Sequence, residues 1–365
     1  MTTGFFHDER CLWHGGGNYA GMAPVGGLVQ PVAGGGGLPE SPETKRRLVN
    51  LLRVTGLLGE TVERTARPLG REDLLRVHPA AYLDAFERTA RAGGGELEVR
   101  APFGPDGYET AALSAALVAD ALEAVLRGEM RNAYALSRPP GHHCLPARPN
   151  GFCLMANIPL AIERARARGL VRRVAVLDWD VHHGNGTEAI YEADRDVLTV
   201  SIHQERNYPL DTGGFETRGA AETNLNVPLP AGCGHATYLE AMDRLALPAI
   251  RRFEPEAIVV ACGYDAGFPD PLAQMLCTAA TFGAMTERVM ALADDICDGR
   301  LVLAHEGGYA EVYVPFCGHA VIRALAGSAT DAPDPFAATY DARQPGEPFR
   351  LFAGGLIGEM VGALG

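Results

Sequence analysis

The sequence predicts an α/β protein, a single domain over residues 1–365 with a largely parallel central sheet flanked by helices. Three observations predict it. Short apolar runs of strand length recur after about residue 130, helical segments separate them, and the runs are apolar at nearly every position. A strand covered on both faces reads in this way, and alternation of strand and helix is the signature of a parallel sheet.

The elements follow in order. Residues 14–37 (HGGGNYAGMAPVGGLVQPVAGGGG) are glycine-rich without periodicity and predict a long surface loop. A helix is predicted from Ser41, with Ser41 as cap, Pro42 in the first turn and Glu43 at its positive end. A second is predicted within the stretch starting at Arg71 and stops at Gly93-Gly94-Gly95, and a third, alanine-rich, starts near Gly107. The strand candidates are 132–138 (NAYALSR), 173–180 (RVAVLDWD), 196–203 (DVLTVSIH), 256–266 (EAIVVACGYDA) and 300–309 (RLVLAHEGGY), with helices expected in 152–169 and 279–299. No composition break marks a second domain.

Bulk properties narrow the function. The net charge is −13 and the pI about 5.3, which argues against nucleic acid or an anionic membrane as partner and suits cationic ligands. Lys45 is the only lysine; arginine carries the remaining positive charge. Eight cysteines lie scattered in apolar stretches without a C-x-x-C pair, so reduced, buried thiols in a cytoplasmic protein are expected. The opening MTTGFFHDER has no apolar core of a signal peptide, and no apolar run is long enough to span a membrane.

Ligands of open α/β sheets bind beyond the carboxyl ends of the strands. Here the five strand candidates end in RPPGHH (138–143), DWDVHHGNG (178–186), Ser201-Ile202-His203, Gly263-Tyr264-Asp265 and HEGGY (305–309). Polar groups thus converge on one edge. Asp180 and His182 stand two apart, so an extended segment aims both at one ion, and Asp265 supplies a third ligand. Three protein ligands with an open position describe a catalytic zinc site; the hard Asp-His-Asp set leaves iron(II) or manganese as alternatives. For a lone D-x-H, a structural charge network would be the ordinary reading. Asp270 is the alternative third ligand, and Asp265 is preferred because it ends the strand directly. His142 and His143 follow a rigid Pro-Pro-Gly turn and are candidates for general base and acid. Tyr309, after Gly307-Gly308, is a candidate donor to an oxyanion.

These motifs, with NGFCLMAN, VSIHQ, NVPLP, CGYDAGFPDPLA and EGGYAEVYVPFCG, resemble the histone deacetylase superfamily in order and spacing, and most closely its bacterial class II amidohydrolases. The resemblance runs from about Val77 to about Gly327. It implies zinc-dependent hydrolysis of acyl-amides, one Zn²⁺ per chain on Asp180, His182 and Asp265, His142 paired with a buried acid, His143 as general base and then acid, and Tyr309 polarising the carbonyl. It further implies a structural K⁺ held by Asp178, Ser201 and the carbonyls of Asp180, His182 and Ile202. His183 matches a position that orients the site. Gly151, Phe152 and Tyr208 match the walls of an acyl-lysine channel with Leu272 near its base, and Glu98 matches a rim acid. Three departures stand out: Tyr208 where the family usually has Phe, Ala156 where class II relatives often have Asn, and Glu98 in place of Asp.

The implied substrates are acylated lysine, an acetylated polyamine or a small acyl-amide, and a homo-oligomer is the expected assembly. Two other functions compete. A two-manganese ureohydrolase needs an acid two residues after Asp265, where this chain has Gly267. A non-catalytic acyl-ligand binder would not need His142, His143 and Tyr309 together.

Overall fold

The computed structural model describes residues 2–15, 19–20, 23–30, 39–98 and 100–364. Much of the predicted glycine-rich loop, at 16–18, 21–22 and 31–37, lies outside the described residues; within it the backbone at Tyr19–Ala20 pairs antiparallel with Ala23–Pro24.

Eight strands form the central sheet: β1 (Thr3–Phe6), β2 (Val62–Arg64), β3 (Asn132–Ala135), β4 (Val174–Asp178), β5 (Val197–Gln204), β6 (Asn224–Leu229), β7 (Ala257–Cys262) and β8 (Leu301–His305). Their order is β6-β5-β4-β7-β8-β3-β1-β2, and every pairing is parallel. All five predicted strands are present; four are shorter than their apolar runs because the polar ends leave the sheet, and β5 keeps the full eight residues of its run, shifted by one. The three unpredicted strands have local causes. β1 and β2 have only four and three residues, too few for a pattern. β6 contains Pro228, which marks an edge strand because it cannot donate to a ladder.

Each interior strand is buried on both faces. In β4, Ala175 and Leu177 face one core and Val174 and Val176 the other; in β7, Ile258 and Val260 oppose Val259 and Ala261. The helices named here are α1 (Glu43–Thr55), α2 (Ala80–Arg91), α3 (Gly107–Leu126), α4 (Asn157–Ala167), α5 (Asn185–Tyr191), α6 (Ala279–Ile296), α7 (Val314–Ala326) and α8 (Glu347–Leu364). Residues of α1, α6 and α7 cover the first face and those of α2, α3 and α4 the second. Covering both faces is what a parallel sheet requires. The Ser41 hydroxyl accepts from the Glu43 amide at 3.1 Å, close to the predicted cap. The stretch from Arg71 divides into a short turn at Arg71–Leu74 and α2, because Pro79 supplies no amide to continue a helix and disfavours helical geometry at the residue before it. No helix among the described residues is long and apolar enough to cross a membrane.

Parallel strands deliver all their carboxyl ends to one edge. In register, Asp178 of β4 lies beside Ser201 of β5 and Ala261 of β7, and Cys262 of β7 beside His305 of β8. The loops leaving these strands build the site.

Candidate active site

The segment after β4 is fixed by its own carboxylates. The Asp180 amide donates to Asp178 Oδ1 at 3.0 Å, and the His182 amide to Asp180 Oδ1 at 2.9 Å. Neighbouring loops attach to the same groups: the Val181 amide donates to Asp265 Oδ1 at 2.8 Å and the Gly307 amide to Asp180 Oδ2 at 2.8 Å. Gly307 has to be glycine, since a Cβ there would run into both the Asp265 and Asp180 carboxylates.

One cluster of donors results. His182 Nδ1 lies 3.1 Å from Asp180 Oδ1 and 3.0 Å from Asp265 Oδ2, and both aspartates are fully buried. Ligand atoms of these three residues all lie within 4.8 Å of one another. Around a tetrahedral zinc ion with bonds of about 2.0–2.2 Å, ligand atoms stand about 3.3 Å apart, so the donor set fits such an ion. The electrostatics fit as well. Burial, and then Asp180, push the Asp265 carboxyl up to about 6. Burial opposes the charge on His182, but Asp265 and Asp180 outweigh it and lift the imidazole to about 10. A divalent cation among these atoms supplies the positive charge that the two buried carboxylates demand. Asp270 is not part of the cluster. It accepts from the Tyr309 amide at 2.7 Å and the Leu272 amide at 2.9 Å, and so fixes the backbone of both.

Two histidines flank the cluster with opposite partners. His142 Nδ1 lies 3.0 Å from Asp178 Oδ2. Burial works against its charge, yet Asp180 and Asp178 raise its pKa well above the usual value. His143 Nδ1 lies 2.8 Å from Asn185 Oδ1, at the start of α5. Burial, then the positive neighbours His142 and His182, pull its pKa well down. Asn185 Oδ1 can only accept, so His143 carries its proton on Nδ1 and leaves Nε2 as a lone pair. The backbone beneath both is held by two side chains. Glu306 Oε2 accepts from the Gly141 and His142 amides at 2.6 and 3.1 Å, and Cys153 Sγ from the His143 amide at 3.4 Å.

Tyr309 is buried with its ring centroid 6.5 Å from that of His182 and 5.8 Å from that of Phe152. Burial, then Asp265, Asp180 and Asp270, push its phenol well above 10, so it remains a proton donor. Tyr208 stands 5.0 Å from the His143 ring and 6.2 Å from that of His182. Gly151 fills the gap between His143 and Tyr208, with a φ of 48° and no room for a Cβ. Leu272 is linked to this wall through Asn207, whose side-chain amide donates to its carbonyl at 3.1 Å. The Tyr208 hydroxyl donates to Asn150 Oδ1. It is therefore taken up by the wall and is not a free polar group in the channel. Glu98 lines the mouth with Tyr208, in an open cavity of about 520 Å³. A larger cavity of about 690 Å³, between Trp13, Tyr108 and Arg91, has none of these residues in its lining.

Of the predicted potassium group, Asp178 and Ser201 are register partners on β4 and β5, followed by Ile202 in β5. Asp178, Gly184 and Ser201 line a void of about 10 Å³, enough for about one water-sized particle. His183 turns away from the donor cluster: its ring nitrogens meet Thr212 at 2.9 Å and Glu188 at 3.1 Å, while its amide donates to the Tyr208 carbonyl at 3.1 Å. All eight cysteines are free and buried.

Asn185 and Glu306 are the functional candidates that sequence reasoning missed. Both lie inside motifs already singled out, GNG and HEGGY. A glutamate ending a fully buried strand was itself a signal, since an unpaired acid there is costly.

The chain is similar to several known proteins. The histone deacetylase domain family model matches residues 38–325. A histone deacetylase-like amidohydrolase of Pseudomonas aeruginosa is 53% identical over 366 residues, covering 100% of this chain and 96% of the relative. A probable deacetylase of Archaeoglobus fulgidus is 36% identical over 299 residues, covering 79% of this chain and 82% of that one. The crystal structure of the HDA15 HD domain superposes with a TM-score of 0.81 at 29% identity, covering 100% of this chain and 98% of that one.

Proposed function

The chain belongs to the histone deacetylase family, and from that premise we propose that it is a zinc-dependent amidohydrolase that removes acyl groups from lysine-like amines. One observation carries this reading: His143, with Nε2 unprotonated, and Tyr309, with its phenol protonated, flank one three-ligand donor cluster. Asp180, His182 and Asp265 would hold the Zn²⁺, which when bound acts as a Lewis acid toward the carbonyl and lowers the pKa of water. The remaining work falls to the chain. Gly151, Phe152 and Tyr208 wall the acyl-amine chain away from solvent. Tyr309 donates its hydroxyl hydrogen bond to the carbonyl oxygen, and the bond strengthens as negative charge develops there. His143 Nε2 takes a proton from the attacking water. The same proton then passes to the leaving nitrogen and the C–N bond breaks; the water's second proton leaves the new carboxyl for the amine, so that a carboxylate and an ammonium result. His142, held charged by Asp180 and Asp178, keeps His143 weakly basic.

A structural K⁺ would be held by Asp178, Ser201 and the carbonyls of Asp180, His182 and Ile202. On this reading the whole chain acts as one catalytic domain. The test is hydrolysis of a panel of acetyl-, trifluoroacetyl- and longer acyl-lysine fluorogenic substrates by zinc-loaded protein, beside Tyr309→Phe. Turnover that collapses in the variant is expected. No turnover on any member, with about one zinc bound, would overturn the reading in favour of a non-catalytic binder.

A further inference from the structure

The mouth of the channel runs against the charge of the molecule. The chain carries a net −13, yet the cavity at the mouth is lined by two arginines, Arg100 and Arg148, and one acid, Glu98. Buried arginines such as Arg138 and Arg164 are clamped by Glu40 and Glu123. By contrast, neither Arg100 nor Arg148 meets a carboxylate at salt-bridge distance among the described residues.

Both arginines stand on backbone tied to the channel. The Arg100 carbonyl accepts from the amide of Phe152, a wall residue, at 2.7 Å. Its φ is 67°, in the left-handed region that costs a non-glycine residue about 1–2 kcal/mol; strained positions of this kind cluster at functional sites. Its guanidinium lies 5.4 Å from the centre of the Tyr208 ring, and that ring lies 5.0 Å from His143. The guanidinium is thus no further from His143 than those two spans laid end to end, a reach that an extended Nε-acyl-lysine, from its α-carboxylate to its acyl carbon, covers with a hydrogen-bonding contact at each end. Arg148 closes a tight turn with Leu145, through reciprocal amide-to-carbonyl bonds of 3.0 and 3.4 Å, just after His142 and His143.

We propose that Arg100 and Arg148 select acyl-amides whose amine portion ends in a carboxylate, the simplest being Nε-acyl-lysine as a free amino acid. The inference rests on the amidohydrolase reading and deepens it. Guanidinium forks match carboxylates in shape and charge, and Glu98 on the same rim faces the α-ammonium of such a substrate. A polyamine chain carries only positive charge and meets two arginines with nothing to offer them.

The test compares three amides that share an acetylated four-carbon amine: Nε-acetyl-lysine, its carboxamide and N-acetylputrescine. With zinc-loaded protein, kcat/KM is expected to favour the carboxylate over the carboxamide by about tenfold, mainly through KM, as two solvent-facing charge pairs allow. The preference should shrink with added salt. In the Arg100→Gln, Arg148→Gln double variant the ratio should fall toward one, and the corresponding lysine variants should restore part of it. Calorimetric binding of the same compounds to Tyr309→Phe, in which turnover is slowed, should show the same ranking. Equal kcat/KM for carboxylate and carboxamide, or acetylputrescine as the best substrate, would overturn the inference and leave the hydrolase intact. Absence of turnover on all three with equal binding would overturn both.

Discussion

His143 Nδ1 lies 2.8 Å from the amide oxygen of Asn185, whereas the adjacent His142 faces the carboxylate of Asp178 at 3.0 Å. Two adjacent imidazoles, 3.9 Å apart between ring centroids and tilted by 40°, are thereby driven in opposite directions. A pair of titratable groups with separated pKa values divides the roles: the charged ring stabilises and the neutral ring accepts. Because burial and the cationic His142 beside it hold His143 below its usual value, its basic form persists as pH falls. The acid limb of kcat/KM should therefore lie below pH 6.5. In Asn185→Asp a carboxylate faces Nδ1, and an opposite charge at that distance raises a histidine pKa by about 1–3 units. The limb should move up by that amount. A pH–rate profile of both proteins checks it, and an unmoved limb would show that another group titrates.

Tyr309 should act only as a donor. Its phenol is pushed well above 10 by burial and by Asp265, Asp180 and Asp270, so it contributes no alkaline limb below pH 10. Tyr309→Phe removes the hydrogen bond to the developing oxyanion and should lower kcat by about 10²–10³. KM should change far less. Steady-state kinetics on one substrate at fixed pH reads both parameters, and a loss confined to KM would reassign Tyr309 to substrate binding.

Much of the site was legible because parallel strands leave their polar termini on one edge. Asp180 and His182 could be paired from their spacing, and Asp265 from its place at the end of a fully apolar run. The resemblance to a known family then assigned roles. Asn185 and Glu306 stayed hidden for physical reasons. Asn185 reads locally as the start of a helix, and its meaning comes from a histidine 42 positions away. Glu306 serves two backbone amides at Gly141 and His142, groups without any sequence signature. The fold was legible in its buried strands and not at its edges, where β2 has too few residues and β6 carries a proline. The rim was the least legible part: Arg100 and Arg148 meet there only through packing of separate loops.

Metal binding should depend on Asp265 directly. The wild type should purify with, or take up, about one divalent ion per chain, and Asp265→Asn should hold much less under the same dialysis. The amide oxygen can still accept from the Val181 amide, so the fold is expected to survive, as circular dichroism would report. Chelation followed by zinc, iron(II) or manganese should restore activity in the wild type alone and rank the metals. Elemental analysis showing a full complement in Asp265→Asn would remove this residue from the ligand set.

Stability should depend unequally on the members of a buried charge cluster beside the site. Glu40 Oε1 meets Lys45 Nζ at 3.0 Å and Arg138 Nε at 2.9 Å, and Lys45 and Arg138 are only 1% and 2% exposed. Arg138 also donates to the carbonyls of Cys11 and His14 at 2.9 and 2.8 Å. Burial would raise the Glu40 carboxyl, but Arg138 and then Lys45 outweigh it and hold it far below the usual carboxylate range. A depressed pKa contributes stability above the unfolded value near 4.5, and that contribution is lost only as pH falls through the lower folded value. Glu40→Gln leaves two buried cations facing each other and should cost about 3–5 kcal/mol, a fall in melting temperature of roughly 5–15 °C. Lys45→Met leaves the Glu40–Arg138 pair intact and replaces a desolvated ammonium with an apolar chain of similar length, so its cost should be under about 1 kcal/mol. Thermal melts of the two variants at neutral pH decide the matter: equal losses would mean that the cluster depends on Lys45 as much as on Glu40.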